Sequence, residues 1–211
     1  MSPRPYQMAQ RQAATDATRE RVLAGAHELL AAQNFSGFTM DAVAGKANVS
    51  RLTVYYQFNS KAGLLEALYD YLAKRGQMSR LSEVFCSGHD PVRTLHDFMG
   101  VFAGFWASDR NVIRRLHALA AIDPEIARGL HARNERRRSG LKAIVERYGR
   151  IYFPLTSLQE SDAIDTLHML TSFETFDALA GSTRTVDEVM ETLRKLADQA
   201  IASDRAAGNS N

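Results

Sequence analysis

The chain has 211 residues, 45% hydrophobic and 24% charged, a balance typical of a globular protein that buries a substantial core. No apolar run approaches the roughly 18 residues that a bilayer crossing needs, Met1 to Arg21 lacks the apolar stretch of a secretory leader, and the single Cys86 excludes an internal disulfide, so a cytoplasmic protein with no membrane partner is expected. The net charge of +2 hides an asymmetry: Lys and Arg outnumber Asp and Glu by seven to four through Lys61 and by eleven to five from Asp109 to Arg150, but fall behind by three to ten from Ser157 to Asp204, so only the earlier segments suit a polyanionic partner.

Helical periodicity dominates, no stretch alternates as a strand, and the expected class is all-α. Met1 to Ala14 reads as a flexible arm. Thr15 or Asp16 can cap a first helix that carries Val22, Ala26, Leu29 and Leu30 on one face. Phe35-Ser36-Gly37-Phe38 ends it, with Gly37 free to take a positive φ. Thr39 caps a short second helix with Val43, Ala44 and Ala47 inward. In the tight turn Asn48-Val49-Ser50, Asn48 tolerates the left-handed region. Ser50 then caps a third helix from Arg51 to about Phe58, and Ser60 caps a fourth, striped with Leu64, Leu65, Leu68, Tyr71 and Leu72.

Beyond Gly76 the helices lengthen. Asp90-Pro91 starts one that runs through Phe98, Phe102 and Phe105 to Trp106, with proline at a permitted first-turn position. Asp109 opens the next, ending near Ile122, and Asp123-Pro124-Glu125 begins a long basic helix to about Arg147. Phe153-Pro154 breaks the chain. Two helices remain, Leu158 to Ala180 and Thr185 to Ala202, before a polar end. The expected division is an arm over 1–14, a three-helix headpiece over 15–60, a helical domain over 61–204 and a tail over 205–211.

Three short helices with a three-residue turn between the second and third meet the requirements of a helix-turn-helix unit. On a helical wheel Val54 and Phe58 share the core-facing side of the third helix. Leu52 and Tyr56 point the other way, flanked by Thr53 and Tyr55, with Arg51 in the first turn. Such a Leu-Thr-Tyr-Tyr surface suits the DNA major groove, where methyl groups meet thymine and hydroxyls reach base edges or phosphates. Ser50 and Thr39 are caps first; a docked helix N-terminus also attracts phosphate, so cap and contact are compatible.

From Phe38 to Leu64 the chain, FTMDAVAGKANVSRLTVYYQFNSKAGL, resembles the TetR family of repressors. The matching positions are Thr39, Val43, Ala44, Ala47, Val49, Ser50, Thr53, Tyr55, Phe58, Ser60 and Lys61. The resemblance implies phosphate contacts by Thr39, Tyr55 and Lys61, and base reading by the groove-facing residues of the third helix. Asn48, Leu52 and Gln57 depart from the usual pattern, which leaves the preferred base sequence open; Gln57 retains a donor for phosphate. The resemblance further implies a homodimer built on the last two helices, through Ile164, Leu167, His168, Thr171 and Ala178 on the penultimate one and Leu193, Leu196 and Ala200 (with Ile201) on the last. Two recognition helices about one DNA turn apart, roughly 34–36 Å, would read a palindromic operator.

A small-molecule effector is expected to release that operator, an amphipathic or aromatic one bound among Phe102, Trp106, His117, Tyr148, Met169 and Phe173, although aromatic and Met residues at helical spacing also serve as plain core. Gly100 and Gly104 share a face that leaves space for a ligand or a close helix crossing. The run Arg133, Arg136, Arg137 and Arg138 reads as a second DNA-binding or an anionic-ligand cluster or, more commonly for such runs, as a solvated face. Cys86 near His89 is a weak redox candidate. No phosphate-binding glycine loop, metal spacing or nucleophile elbow is found, so neither catalysis nor a cofactor or metal is expected. The competing reading is a DNA-binding or architectural protein that senses nothing.

Overall fold

The computed structural model describes the backbone of residues 4–32 and 37–208 and the side chains of 8–32 and 37–201. Among the described residues there are eleven helices and no strand: α1 (Arg4–Ala31), α2 (Met40–Lys46), α3 (Arg51–Phe58), α4 (Lys61–Arg75), α5 (Arg80–Cys86), α6 (Pro91–Ser108), α7 (Arg110–Ala120), α8 (Pro124–Ile151), α9 (Ser157–Leu170), α10 (Phe173–Ala180) and α11 (Val186–Gly208). The all-α expectation holds. None of these helices is long and apolar enough to cross a membrane.

The segment expected to be an arm is helical from Arg4. Thr15 does not cap a helix there. Its hydroxyl donates to the Arg11 carbonyl one turn back, and Gln12 donates to Asp16 across the same spacing. Pro5 falls in the first turn, where its missing N–H costs nothing, and the Met, Ala, Gln and Arg residues that follow favour helix intrinsically. Phe35 and Ser36 of the expected break lie outside the described residues; Gly37 does take positive φ.

The chain divides into two units. The first comprises residues up to Leu72 together with Asn111–Ala127, so it takes in most of α4 and α7, which the boundary expected near residue 60 left out. Its core is built from Val22, Ala26 and Leu30 of α1, Val43 of α2, Val54 and Phe58 of α3, Leu64, Leu65 and Leu68 of α4, and Leu116 of α7. The two segments are tied by Arg115 donating to the Leu30 carbonyl and by an ion pair between Lys61 and Asp123 at 3.1 Å. Long-range ties of this kind leave no local mark in a sequence. Gly63 in the first turn of α4 packs directly on α3, and a Cβ there would come within 2.2 Å of the Phe58 carbonyl oxygen.

The second unit holds Ala73–Arg110 and the chain from Arg128 onward. Its core gathers Leu95, Phe98 and Met99 of α6, Leu141, Ile144 and Val145 of α8, Leu167 of α9, and Val189 and Ala197 of α11. Helix α5 was not anticipated. None of its residues is buried, so no apolar stripe announces it, although Phe85 meets Phe98 edge-on. The helix expected over Leu158 to Ala180 is two helices. Thr171 closes α9, and the Ser172 hydroxyl accepts the Thr175 N–H to start α10, a cap that sends the chain in a new direction. Helix α11 continues to Gly208, through the first residues of the expected tail.

Candidate nucleic-acid interface

The turn between α2 and α3 is set by backbone chemistry. Asn48 takes φ of 51°, in the left-handed region that asparagine tolerates. On either side a hydroxyl caps a helix: Thr39 accepts the Ala42 N–H at 3.1 Å, and Ser50 accepts the Thr53 N–H at 3.0 Å. Val54 and Phe58 are buried and anchor the inner side of α3. The outer side is the opposite: Leu52 is 78% exposed and Tyr56 82%. Tyr55 and Arg51 are also exposed, while Thr53 and Gln57 are half-buried. An exposed leucine and tyrosine side by side on a short, well-capped rod give up apolar area to water with no return inside the unit.

The basic groups around α3 are already engaged. Arg51 pairs with Asp41 at 3.1 Å and lies beside the Tyr55 ring. Lys46 pairs with Glu28 at 3.2 Å. Arg19 stacks on the Phe58 ring and donates to the Gln57 carbonyl at 3.0 Å, which braces the C-terminal end of α3 from beneath. Lys61 pairs with Asp123, whose carboxyl is held below its usual range first of all by that hydrogen bond. The sequence placed Lys61 and Arg51 at this surface, but neither Arg19 nor Asp123, whose roles here depend on contacts 38 and 62 residues away.

The six residues expected to line an effector pocket are not brought together. Phe102, Trp106 and Phe173 form one buried stack in the second unit, with ring centroids 5.9 and 5.7 Å apart. Tyr148 is buried further along α8 against Tyr152 and Phe153. His117 belongs to the first unit. Met169 is 58% exposed. Beside the stack lies a void of only about 10 Å³, walled by residues that include Met99, Phe102, Trp106 and Phe176. Gly100 and Gly104 face open space on a surface groove and not the core.

The residues expected at a dimer interface also divide. Ile164, Leu167, Thr171 and Leu193 are buried in their own unit, because α9 and α11 use those faces against each other and against α6. His168 is half-buried, and Ala178 sits on α10 after the Ser172 break, so it does not continue the α9 stripe. What α9 and α11 leave outside is an open groove of about 400 Å³ with Met169, Leu196 and Ala200 on its walls, and Leu158 is exposed at the start of α9. Of the arginine run, Arg136 is exposed but Arg137 is only 5% exposed. Cys86 is exposed and free.

The sequence and the fold both have relatives. The family model for bacterial regulatory proteins of the tetR family matches residues 22–68. Over 62 residues, 29% of this chain, it is 42% identical to the HTH-type transcriptional regulator SrpR of Pseudomonas putida, of whose length the match spans 29%. Among solved structures, NalD of Pseudomonas aeruginosa, described as the secondary repressor of the MexAB-OprM multidrug efflux pump, superposes with a TM-score of 0.66 at 20% identity, covering 89% of this chain and 96% of that one. A TetR transcription regulator of Haloarcula marismortui gives 0.65 at 17% identity, covering 90% and 98%. These structural likenesses extend the shared fold beyond residues 22–68 to both units.

Proposed function

We propose that this chain, a member of the TetR family of bacterial regulatory proteins, is a cytoplasmic transcriptional repressor that binds a palindromic operator as a homodimer and leaves it when a small molecule binds. The observation that carries the reading is the outer side of α3: Leu52 and Tyr56 stand in solvent on a helix whose opposite side is locked down by Val54 and Phe58. Inserted in a major groove, Leu52 meets thymine methyls and the Tyr56 and Thr53 hydroxyls meet base edges. Thr39, Ser50, Tyr55, Gln57 and Lys61 flank that edge and hold phosphates, with the N–H groups at the start of α3 adding to the attraction. Arg51 exchanges Asp41 for a phosphate or a guanine edge.

Selection of bound fragments from random duplex DNA by the purified protein tests this. A palindrome with half-sites about one helical turn apart, or somewhat wider, is the expected enrichment. Recovery of fragments with no shared sequence would remove the reading. The close packing around Trp106 favours a second reading, a repressor that responds to no ligand, because a void of about 10 Å³ holds no effector as it stands. Titrating compounds against the selected operator separates the two, since reciprocity requires any effector that weakens DNA binding to be weakened by DNA equally.

A further inference from the structure

We propose that the Arg137 guanidinium, set between Phe102, Trp106 and His168, is the anchor of an effector site that takes a carboxylate carried on an apolar body. The inference rests on the effector reading above and names the chemistry that effector must have. Arg137 lies in the middle of α8 and is 5% exposed. A guanidinium presents five N–H donors and no acceptor. One nitrogen donates to the Thr171 carbonyl at 3.0 Å and another to His168 Nε2 at 2.9 Å, while Nε has no hydrogen-bond partner among the described residues. The Thr171 carbonyl is shared, because the Trp106 indole also donates to it at 3.0 Å.

Closing the C-terminal end of α9 therefore accounts for one of the arginine's groups and leaves its charge without a hydrogen-bonded carboxylate. Among the described residues no carboxylate pairs with it; Glu174 acts only through space. Burial pushes the group down to about 10, partly offset by Glu174, so it stays charged at neutral pH. Leaving a buried cation without a hydrogen-bonded counterion is costly, and a bound anion would remove that cost. A carboxylate is the complement, since its two oxygens match the guanidinium fork. His168 cannot supply the anion: its Nε2 accepts from arginine, so the ring is neutral.

The walls define the rest of the ligand. The Phe102 and Trp106 rings lie 5.8 and 6.0 Å from the guanidinium carbon, and the adjoining void is lined by Met99, Leu170, Phe176 and Leu193. An occupant with an apolar body enters by parting these rings, which makes its binding select an opened second unit over the closed one.

Trp106 is the only tryptophan, so its emission reports on the site directly. Octanoate and octanamide, matched in length and differing in charge, are titrated against the full chain without DNA. A saturable change in emission is expected with octanoate, and with octanamide only at tenfold or higher concentration. Arg137→Met, checked for unchanged helical content, should lose that preference, and Arg137→Lys should keep part of it. Equal affinities for acid and amide, no saturable octanoate response up to millimolar concentration, or an undiminished preference in Arg137→Met would each overturn the site. Should the methionine variant not fold, the acid–amide comparison in the unaltered protein decides alone. Selected operator bound normally with no acid preference rejects the anion site and spares the repressor; acid preference with no DNA bound does the reverse.

Discussion

At Gly63 the distance between two helices is set by a single hydrogen atom. The Phe58 carbonyl occupies the place a methyl group would need, and backbone on both sides leaves nothing flexible to give way. Gly63→Ala should destabilise the first unit by about 1–3 kcal/mol through overpacking, read as a lowered thermal midpoint; an unchanged midpoint would show that α3 and α4 can separate freely. His168 offers a second test. Burial and the Arg137 charge hold it below its ordinary value, so the unfolded chain takes up a proton near pH 6.5 while the folded one resists. Stability is then full above about pH 6.5 and declines as the pH falls below it. Between pH 7.5 and 5.5 the midpoint should drop further for the native protein than for His168→Gln, whose amide oxygen still accepts from Arg137. Equal drops would remove His168 as the cause. Neither residue was legible: a glycine inside a helical stripe and a histidine at helical spacing look the same whatever they touch.

Among the elements, those with hydroxyl or asparagine punctuation were readable. Thr39, Ser50 and Ser60 cap where expected, and Asn48 turns the chain where expected, because each acts within three residues of itself. The Thr171-Ser172 junction carried the same signal but sat inside an unbroken apolar stripe, and the stripe concealed it. Helix α3 allows its two proposed kinds of contact to be told apart. Tyr56→Ala should broaden the selected sequences while overall affinity falls only modestly. Lys61→Ala should weaken binding to all sequences alike and leave the selected sequences unchanged. Identical selected sequences from the native protein and Tyr56→Ala would count against base reading by that side chain.

For the whole molecule, the dimer expected from sequence needs a surface, and the residues named for it are largely spent on the core of the second unit. Helical spacing marks an apolar face but does not tell a neighbouring helix from a second subunit. Met169 and Leu196, on the groove walls, are large apolar side chains that α9 and α11 leave exposed. Replacing both with glutamate should yield a folded monomer by sedimentation and abolish tight binding to a two-half-site operator. A variant that stays dimeric places the interface elsewhere.

The Lys61–Asp123 pair bears on the proposed phosphate contact, because the Lys61 ammonium is already neutralised by its own chain. In the proposed complex a phosphate takes the ammonium only at the expense of this ion pair, and the aspartate left beside it repels the same phosphate. In that complex the contact adds less to the salt dependence of binding than an unpaired lysine would. Asp123→Asn, which strips out this built-in anion, should bind more tightly in dilute buffer and lose its grip more steeply as salt is added.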